Sequence, residues 1–442
     1  MKVIIIGAGE VGRELAESIR RKGHDVIIVD RSEKACQKAR ALDVKVVRGN
    51  GARPELLNSL DIKGAEYFFA VTDNNEVNLV ACSMAKSAGC KTMARINGLQ
   101  YISKQVSQRF KQIGVDYAVS PELLIARKIA DIITVPFAID RNISMGGKIH
   151  VIEFKVLTNS KIKNKKVEDI KFPKKVNLGA IIRENEVIVP HGDDVVEEDD
   201  TLVVMTEGRK AEKKMLRLLG TTKSSVKRVM VVGATSIGID IAKKLDDRGV
   251  EVKVIDESEK RARRAAERLK DVEVLMGDAR DKNILIEEGI LRMDALAATS
   301  HSEEYNVLVS LLAKVYGVEK TVAIVQELGV KSLIETVGID MAASPELQTA
   351  NTMLRLAKEL NPLKAIPIHG GDLYILEMDV EEDSSVAGKT LAQSDLPPEC
   401  IIGAIIRDDK TIIPRGEEEF KPGDEVLSFV LKEEINAVED VF

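Results

Sequence analysis

Two rhythms of apolar and polar residues run through this chain. Residues 3–6, VIII, are apolar without a break. Val11, Leu15 and Ile19 follow at four-residue spacing, and a second apolar run, VIIV, fills 26–29. Short unbroken runs suit strands buried on both faces, and the four-residue spacing suits a helix lying over them. The alternation continues through VKVVRG (44–49), AEYFFAVT (65–72) and KTMARI (91–96). It predicts successive βαβ units and a parallel, doubly wound sheet of the Rossmann kind, an α/β fold. SPELLIARKIADII (120–133) predicts a capped helix with Ser120 as N-cap, Pro121 at the first helical position, Glu122 in the first turn and Pro136 just past the end. Beyond it the rhythm changes. KIHVIEFKVL (148–157), GAIIREN (179–185), EVIVPHG (186–192) and TLVVMT (201–206) alternate or turn tightly and predict a small, mainly β unit.

The whole pattern then recurs. VIIIGAGEVGRELAESIRRKGHDVIIVD (3–30) returns as VMVVGATSIGIDIAKKLDDRGVEVKVID (229–256), with Gly7 matching Gly233 (233 − 7 = 226) and Asp30 matching Asp256 (256 − 30 = 226). RGNGARPELL (48–57) matches MGDARDKNIL (276–285), VTDNNEVN (71–78) resembles ATSHSEEYN (298–306), and AVSPELLIA (118–126) resembles AASPELQTA (342–350). In the β units, Gly179, Arg183 and Pro190 match Gly403, Arg407 and Pro414. A duplication of this length sets four segments: two Rossmann-like lobes at 1–135 and 223–357, and two small β-rich α+β lobes at 136–222 and 358–442. GTTKSSVK (220–227), small and polar, is the expected linker.

The first apolar run opens into Gly7-Ala8-Gly9-Glu10-Val11-Gly12, a complete GxGxxG between a predicted strand and a predicted helix. In such a motif the first glycine makes the tight turn, the second lets backbone approach a pyrophosphate, and the third lets helix pack on strand; the helix N-terminus offers its free N–H groups to the phosphates. Asp30 closes the next strand, where a carboxylate takes the ribose hydroxyls. Its charge opposes a 2′-phosphate and favours NAD(H) over the phosphorylated form, although Arg31 beside it weakens that argument. The adenosine of ATP or ADP carries the same diol, so these remain alternatives at the same site. Asn50 and Ala52 are candidates to line the adenine, and Gly51 between them is a further candidate cofactor contact. Thr72, Asp73 and Asn74 are candidates to meet ribose or phosphate, and Arg95, at the end of KTMARI, to meet phosphate through its guanidinium fork. Ordinary turn chemistry is the alternative for the Asn, Gly and Asp positions, and a plain surface position for the arginine. The second copy keeps Gly233, Gly238 and Asp256, but Thr235 replaces the middle glycine and Ile324 takes the place of Arg95. A weaker second site is expected, with Asp256 still able to hold a ribose.

Composition narrows the function. Lys and Arg (65) do not exceed Asp and Glu (71), which argues against nucleic acid as a partner. The four cysteines show no paired spacing and point to reduced thiols in a cytoplasmic protein. MKVIIIGAG enters a strand directly, without a leader pattern, and no apolar run reaches about 18 residues, so any membrane role is expected to be peripheral. The acidic run GDDVVEEDD (192–200) is expected to be a solvated turn. The five histidines form no metal motif, and no catalytic nucleophile signature is present.

Two classes fit a duplicated nucleotide lobe. An NAD-dependent dehydrogenase needs an acid–base residue beside the nicotinamide, and the β unit offers no evident one. A binding device needs only a ligand that shifts a conformational equilibrium. The carriers GAGEVG (7–12), Asp30, GNGARP (49–54), VTDNNEVN, ARI (94–96), SPELLIA (120–126) and the paired GAIIR blocks resemble the TrkA family, over essentially all 442 residues. That family comprises NAD-binding regulatory subunits of Trk potassium uptake systems, built from two RCK (KTN) units. The resemblance implies a non-enzymatic protein, nucleotide-dependent gating of a potassium-translocating membrane subunit, peripheral placement on the inner face of the plasma membrane, and a homotetrameric ring.

Overall fold

The computed structural model describes residues 1–98, 104–136, 138–184, 186–220, 226–326, 337–357, 360, 365–368 and 371–442. Most of the linker expected at 220–227 lies outside the described residues. Two compact units emerge, each built from both halves of the chain: Met1–Ala130 with Lys227–Asn361, and Asp131–Val226 with Pro362–Phe442.

The first unit holds two parallel sheets. β1 (Lys2–Ile6), β2 (Asp25–Asp30), β3 (Lys45–Arg48), β4 (Tyr67–Ala70), β5 (Lys91–Arg95) and β6 (Tyr117–Val119) pair in the order β3-β2-β1-β4-β5-β6, all parallel. Alternation along β1 shows why its sequence is wholly apolar. Val3 and Ile5 enter the core on one face, and Ile4 and Ile6 enter the core on the other. Helices α1 (Glu10–Arg21), α2 (Glu33–Arg40), α3 (Pro54–Ser59), α4 (Asn75–Ser87), α5 (Lys104–Gln112) and α6 (Pro121–Ile133) connect these strands or follow them. α1 buries Val11, Leu15 and Ile19, the stripe read from the sequence, together with Gly12 and Ala16.

The sheet order reverses between β1 and β4. At that point the loops leaving β1 and β4 diverge and open a crevice at the carboxyl edge. The second copy repeats this layout with β14 (Arg228–Val232), β15 (Glu251–Asp256), β16 (Glu273–Met276), β17 (Ala295–Ala298), β18 (Lys320–Ile324) and β19 (Met341–Ala343), ordered β16-β15-β14-β17-β18-β19. Its described helices include α8 (Ser236–Asp246), α9 (Glu259–Arg268), α10 (Lys282–Glu287), α11 (Glu303–Val315) and α12 (Pro345–Leu356).

Helix α12 packs on the first lobe. Its Ala350 and Met353, with Ala357 and Leu360 beyond it, join the core of the first lobe, packing with Leu15, Ala16 and Ile19 of α1. In return the Arg248 side chain, just past α8, donates to the Ala130 carbonyl of α6 at 2.7 Å. The first lobe therefore owes part of its core to residues some 330 positions away (350 − 16 = 334). Binding tests belong on the full chain rather than on residues 1–135, where that core would be stripped.

The second unit holds the two small lobes. β7 (Ala138–Ser144), β8 (Ile149–Lys155), β10 (Val176–Arg183), β11 (Glu186–Ile188) and β13 (Thr201–Glu207) form one antiparallel sheet, and β9 (Lys165–Lys166) pairs with β12 (Val195–Val196) beside it. The helix α7 (Gly208–Leu218) covers one face through Ala211, Met215 and Leu216. The partner sheet runs β20 (Ile366–Ile368), β21 (Leu373–Asp379), β24 (Glu425–Leu431), β22 (Cys400–Arg407), β23 (Lys410–Ile412), and α13 (Ile435–Glu439) ends the chain's helices. One apolar core spans both lobes, from Ile149, Val151 and Met205 to Leu373, Leu427 and Phe429. The paired glycines sit in it: a Cβ on Gly179 would lie 2.5 Å from the Phe429 ring.

The repeated arginines anchor each small lobe. Arg183 donates to both oxygens of Asp200 (2.8 and 2.9 Å), and Arg407 to both oxygens of Asp424 (2.7 and 2.7 Å). Asp200 is only 1% exposed, so the acidic run at 192–200 is not uniformly the solvated turn expected from the sequence. Its last member turns inward because a buried carboxylate needs a fixed cation, and the guanidinium fork supplies one.

Candidate nucleotide-binding site

Every predicted site residue of the first lobe lies at or just after the carboxyl end of a strand in the same sheet: Gly7 to Gly12 after β1, Asp30 and Arg31 at β2, Asn50 to Ala52 after β3, Thr72 to Asn74 after β4, and Arg95 at β5. The sheet brings these segments to one edge. Their individual geometries separate those that the fold itself requires from those that it does not.

The three motif glycines differ in this respect. Gly7 has φ +109°, and a Cβ there would meet the Thr72 amide nitrogen at 3.0 Å. A Cβ on Gly12 would fall 1.8 Å from the Gly7 carbonyl oxygen. Both are demanded by the turn and by helix–strand packing. Gly9 is different. Its backbone is extended, φ −69° and ψ −170°, a conformation open to any residue, and a Cβ there would meet nothing within 4 Å. Gly9 is also the N-cap of α1 and provides no capping side chain. The open space in front of it, next to an uncapped helix N-terminus, is where an anion is favoured.

Asp30 sits beside this turn. One carboxylate oxygen accepts the Ala8 N–H at 2.7 Å and the other the Ser32 N–H at 2.8 Å. Among the described residues no cation pairs with it. Ala8 and Val11 are buried, so their side chains serve the core and the Ala8 N–H is spent on Asp30. Glu10 pairs with Arg13. Gly51 is a packing residue, because a Cβ would strike Ile6 at 2.1 Å. Asn50 makes a local turn, accepting from the Ala52 N–H at 3.0 Å. Arg31 and Asp73 are exposed.

Thr72 and Asn74 carry structural duties. The Thr72 hydroxyl donates to Asn78 Oδ1 at 2.6 Å, and Asn74 caps α4 by accepting from Val77 at 2.7 Å. The residue behind them, which the motif reading does not single out, is Asn78. It is fully buried; its Oδ1 also accepts from the Thr72 N–H, and its Nδ2 donates to the carbonyls of Thr72 and Arg95. It ties the loop after β4 to the end of β5. Asn306 does the same in the second copy, bridging Ser300 and Ile324. The signal is present in the aligned VTDNNEVN and ATSHSEEYN blocks, which both end on this asparagine. Asn78→Ala is expected to lower stability by about 1–3 kcal/mol, because several buried partners lose their mate at once; denaturant unfolding measures this.

A second residue outside the motifs comes from α12. Glu346, in its first turn, is pushed above the usual carboxylate range by burial, with Arg95 pulling the other way and Glu10 adding to the rise. A carboxyl from the second half of the chain thus shares the electrostatics of the first site. Arg95 itself donates from Nε to Asn97 Oδ1 at 3.2 Å.

The second lobe keeps the frame and changes the site. Gly233 (φ +105°) and Gly238 remain, and Cβ atoms there would lie 2.6 Å from Ser300 N and 2.0 Å from the Gly233 oxygen. Thr235 fills the middle position, is 6% exposed, accepts the Gly238 N–H at 3.2 Å and donates to the Thr299 carbonyl at 2.9 Å. Strand pairing sets Ala70 beside Ala94 and Ala298 beside Ala323, which puts Ile324 at the register of Arg95. Asp256, which the sequence offers as a ribose carboxylate, is engaged by the protein itself in this structure. Its two oxygens each accept from Arg261 Nε at 2.9 Å, besides the N–H groups of Ala234 and Ser258. Burial alone would raise this carboxyl; Arg261 and the two amides outweigh it and hold it below its ordinary value. A cavity of about 410 Å³ lies in front, lined by Gly233, Arg261, Arg280, His301 and Tyr305 among others.

The family model of the TrkA-N domain matches residues 3–121 and 229–345, and that of the TrkA-C domain matches 151–219 and 375–442. The chain belongs to the TrkA family. Among relatives of this TrkA-family chain, Trk system potassium uptake protein TrkA homolog 1 of Methanosarcina mazei is 36% identical over 451 residues, covering 100% of both chains. The TrkA homolog of Archaeoglobus fulgidus is 33% identical, again over 100% of both. Among solved structures, the GsuK RCK domain covers 100% of this chain and 94% of its own at 18% identity and a TM-score of 0.63. A GsuK channel bound to NAD covers 100% and 78%, also at 18% and 0.63. These likenesses show the tandem RCK fold. Among the described residues no helix is long and apolar enough to cross a membrane.

Proposed function

We propose that the chain is the nucleotide-sensing regulatory subunit of a Trk-type potassium uptake system. NAD(H), or ATP or ADP at the same site, binds at the first glycine-rich turn, and its occupancy sets the flux through a potassium-translocating membrane subunit. The observation that carries the reading is Gly9, a glycine that the protein's own packing does not require. It faces open space between an uncapped helix N-terminus and a carboxylate that, among the described residues, has no cation. Phosphates fit the first feature and a ribose diol the second. The names of the relatives support the potassium system, and the NAD-bound GsuK channel, which shares the fold, supports the choice of nucleotide.

The packing of α12 on α1 offers a path from ligand to conformation. A ligand gripping the N-terminus of α1 biases the helix against which the second half packs. It shifts the equilibrium by the difference in its affinity for the two arrangements. Assembly of several copies around the membrane subunit, as a homotetramer, and association with the membrane only through that subunit complete the proposal.

Calorimetric titration of the full chain with NAD, NADH, ATP and ADP tests the site. Asp30→Ala removes charge-assisted hydrogen bonds worth about 1.5–3 kcal/mol and is expected to weaken binding roughly 10- to 150-fold. Unchanged affinity would remove Asp30 from the site. The dehydrogenase alternative predicts consumption of NADH by the pure protein with candidate substrates; the sensor predicts none.

A further inference from the structure

The two ribose carboxylates differ by one neighbour. Ser32 caps α2, and its side chain accepts from the Ala35 N–H at 3.4 Å; Ser258 caps α9 and accepts from the Arg261 N–H at 3.5 Å. Ala35 and Arg261 therefore hold the same place, five residues past the carboxylate and at the third position of equivalent helices. In the first lobe that place has no group to reach Asp30. In the second, Arg261 Nε lies 2.9 Å from both oxygens of Asp256 and Nη2 lies 2.8 Å from one of them.

We propose that Arg261 is the specificity-determining residue of the second pocket, occupying with its own guanidinium the carboxylate that a ribose diol would otherwise use. The inference rests on the first lobe's being a nucleotide site. A guanidinium presents two N–H donors in a fixed fork, the same donor count as a vicinal diol, but with charge. Asp256 is 4% exposed while the Arg261 side chain is partly exposed, so a ligand must displace a half-buried charged pair to reach the carboxylate. Thr235 adds to the exclusion by capping the Gly238 N–H that a phosphate would need. Arg280, the neighbouring cation, is itself held by Asp278 at 2.7 Å. The pocket thus disfavours NAD(H), ATP and ADP, although a cavity of about 410 Å³ lies in front of it.

The test titrates three full-length forms with NADH, after thermal melting establishes that each folds: the wild type, Ala35→Arg, and Arg261→Ala with Thr235→Gly. The wild type is expected to bind one NADH per chain. Ala35→Arg is expected to lose that binding at least tenfold, because the new guanidinium reaches Asp30 as Arg261 reaches Asp256. The double variant is expected to show a second equivalent. Two equal equivalents in the wild type, unchanged affinity in Ala35→Arg, or no second equivalent in the double variant would each overturn the role of Arg261. Absence of any binding to the wild type would overturn the first-site reading instead, so the two failures are distinguishable. If Ala35→Arg fails to fold, Ala35→Lys, whose single ammonium cannot fork, replaces it. It is expected to lose less than tenfold, and a loss as large as that predicted for arginine would overturn the fork argument.

Discussion

Gly9→Ala is expected to weaken nucleotide binding while leaving the fold intact, and Gly12→Ala to do damage of the opposite kind. A methyl group on Gly9 would meet no protein atom within 4 Å, and its backbone already suits alanine. Alanine is a poorer helix N-cap than glycine but lowers the entropy of the unfolded chain. The two effects oppose each other, and stability should change by less than about 1 kcal/mol. The same methyl enters the space proposed for the pyrophosphate. An overpacked contact of that kind costs about 1–3 kcal/mol, a roughly 5- to 150-fold weaker complex. At Gly12 the added carbon would fall 1.8 Å from the Gly7 oxygen, so α1 must lift from β1 whether or not a ligand is present. A loss of about 3 kcal/mol or more is expected there. Calorimetry and denaturant unfolding on the two variants separate the roles. The second lobe has already performed the first substitution in kind. It retains both packing glycines and accepts Thr235 in the middle with an extended backbone, φ −72° and ψ 173°.

Arg407→Ala is expected to be among the most destabilising single changes in the small lobes. Asp424 is 1% exposed, and the variant takes away the guanidinium fork while the Lys421 N–H, at 2.8 Å, remains. Removing one member of a buried pair costs about 3–5 kcal/mol, because the remaining charge is stranded. Arg407→Ala with Asp424→Asn should recover part of that loss by removing the stranded charge. The midpoint of urea unfolding, followed by circular dichroism, measures both. Equal stability of Arg407→Ala and the wild type would mean that Asp424 takes up its proton or finds water at little expense.

Much of the fold was legible because its determinants are local and occur twice. Apolar runs bounded by glycine, a helical stripe and a matching second copy suffice to specify two doubly wound sheets. The positions of Asp30 and Arg95 at strand ends follow from the same reading. What stayed hidden depends on long-range packing. No periodicity in 345–356 says that Ala350 and Met353 will complete a core begun by Leu15 and Ile19. Nor does it announce that Glu346 will feel Arg95. Asn78 was visible as a repeated letter, but its duty rests on the carbonyls of two neighbouring strands' ends. Arg261 was hidden differently. It lies five positions past a carboxylate, on a helix rich in surface arginines, and only the folded helix turns this one back onto Asp256.

GxGxxG is three demands in one string. Here the structure assigns two of them to the turn and to helix–strand packing, and the third to space outside the protein. A chain can therefore keep Gly233 and Gly238 for the fold alone while its pocket takes another form.

Potassium flux in vesicles containing the Trk-type membrane subunit tests the central claim most directly. The chain is added as wild type or as Gly9→Ala, with and without NADH or ATP. Nucleotide is expected to change the flux with the wild-type chain, to have little effect with Gly9→Ala at the same concentration, and to have none when the chain is omitted. A nucleotide response of equal size with Gly9→Ala, or from the membrane subunit alone, would contradict the account.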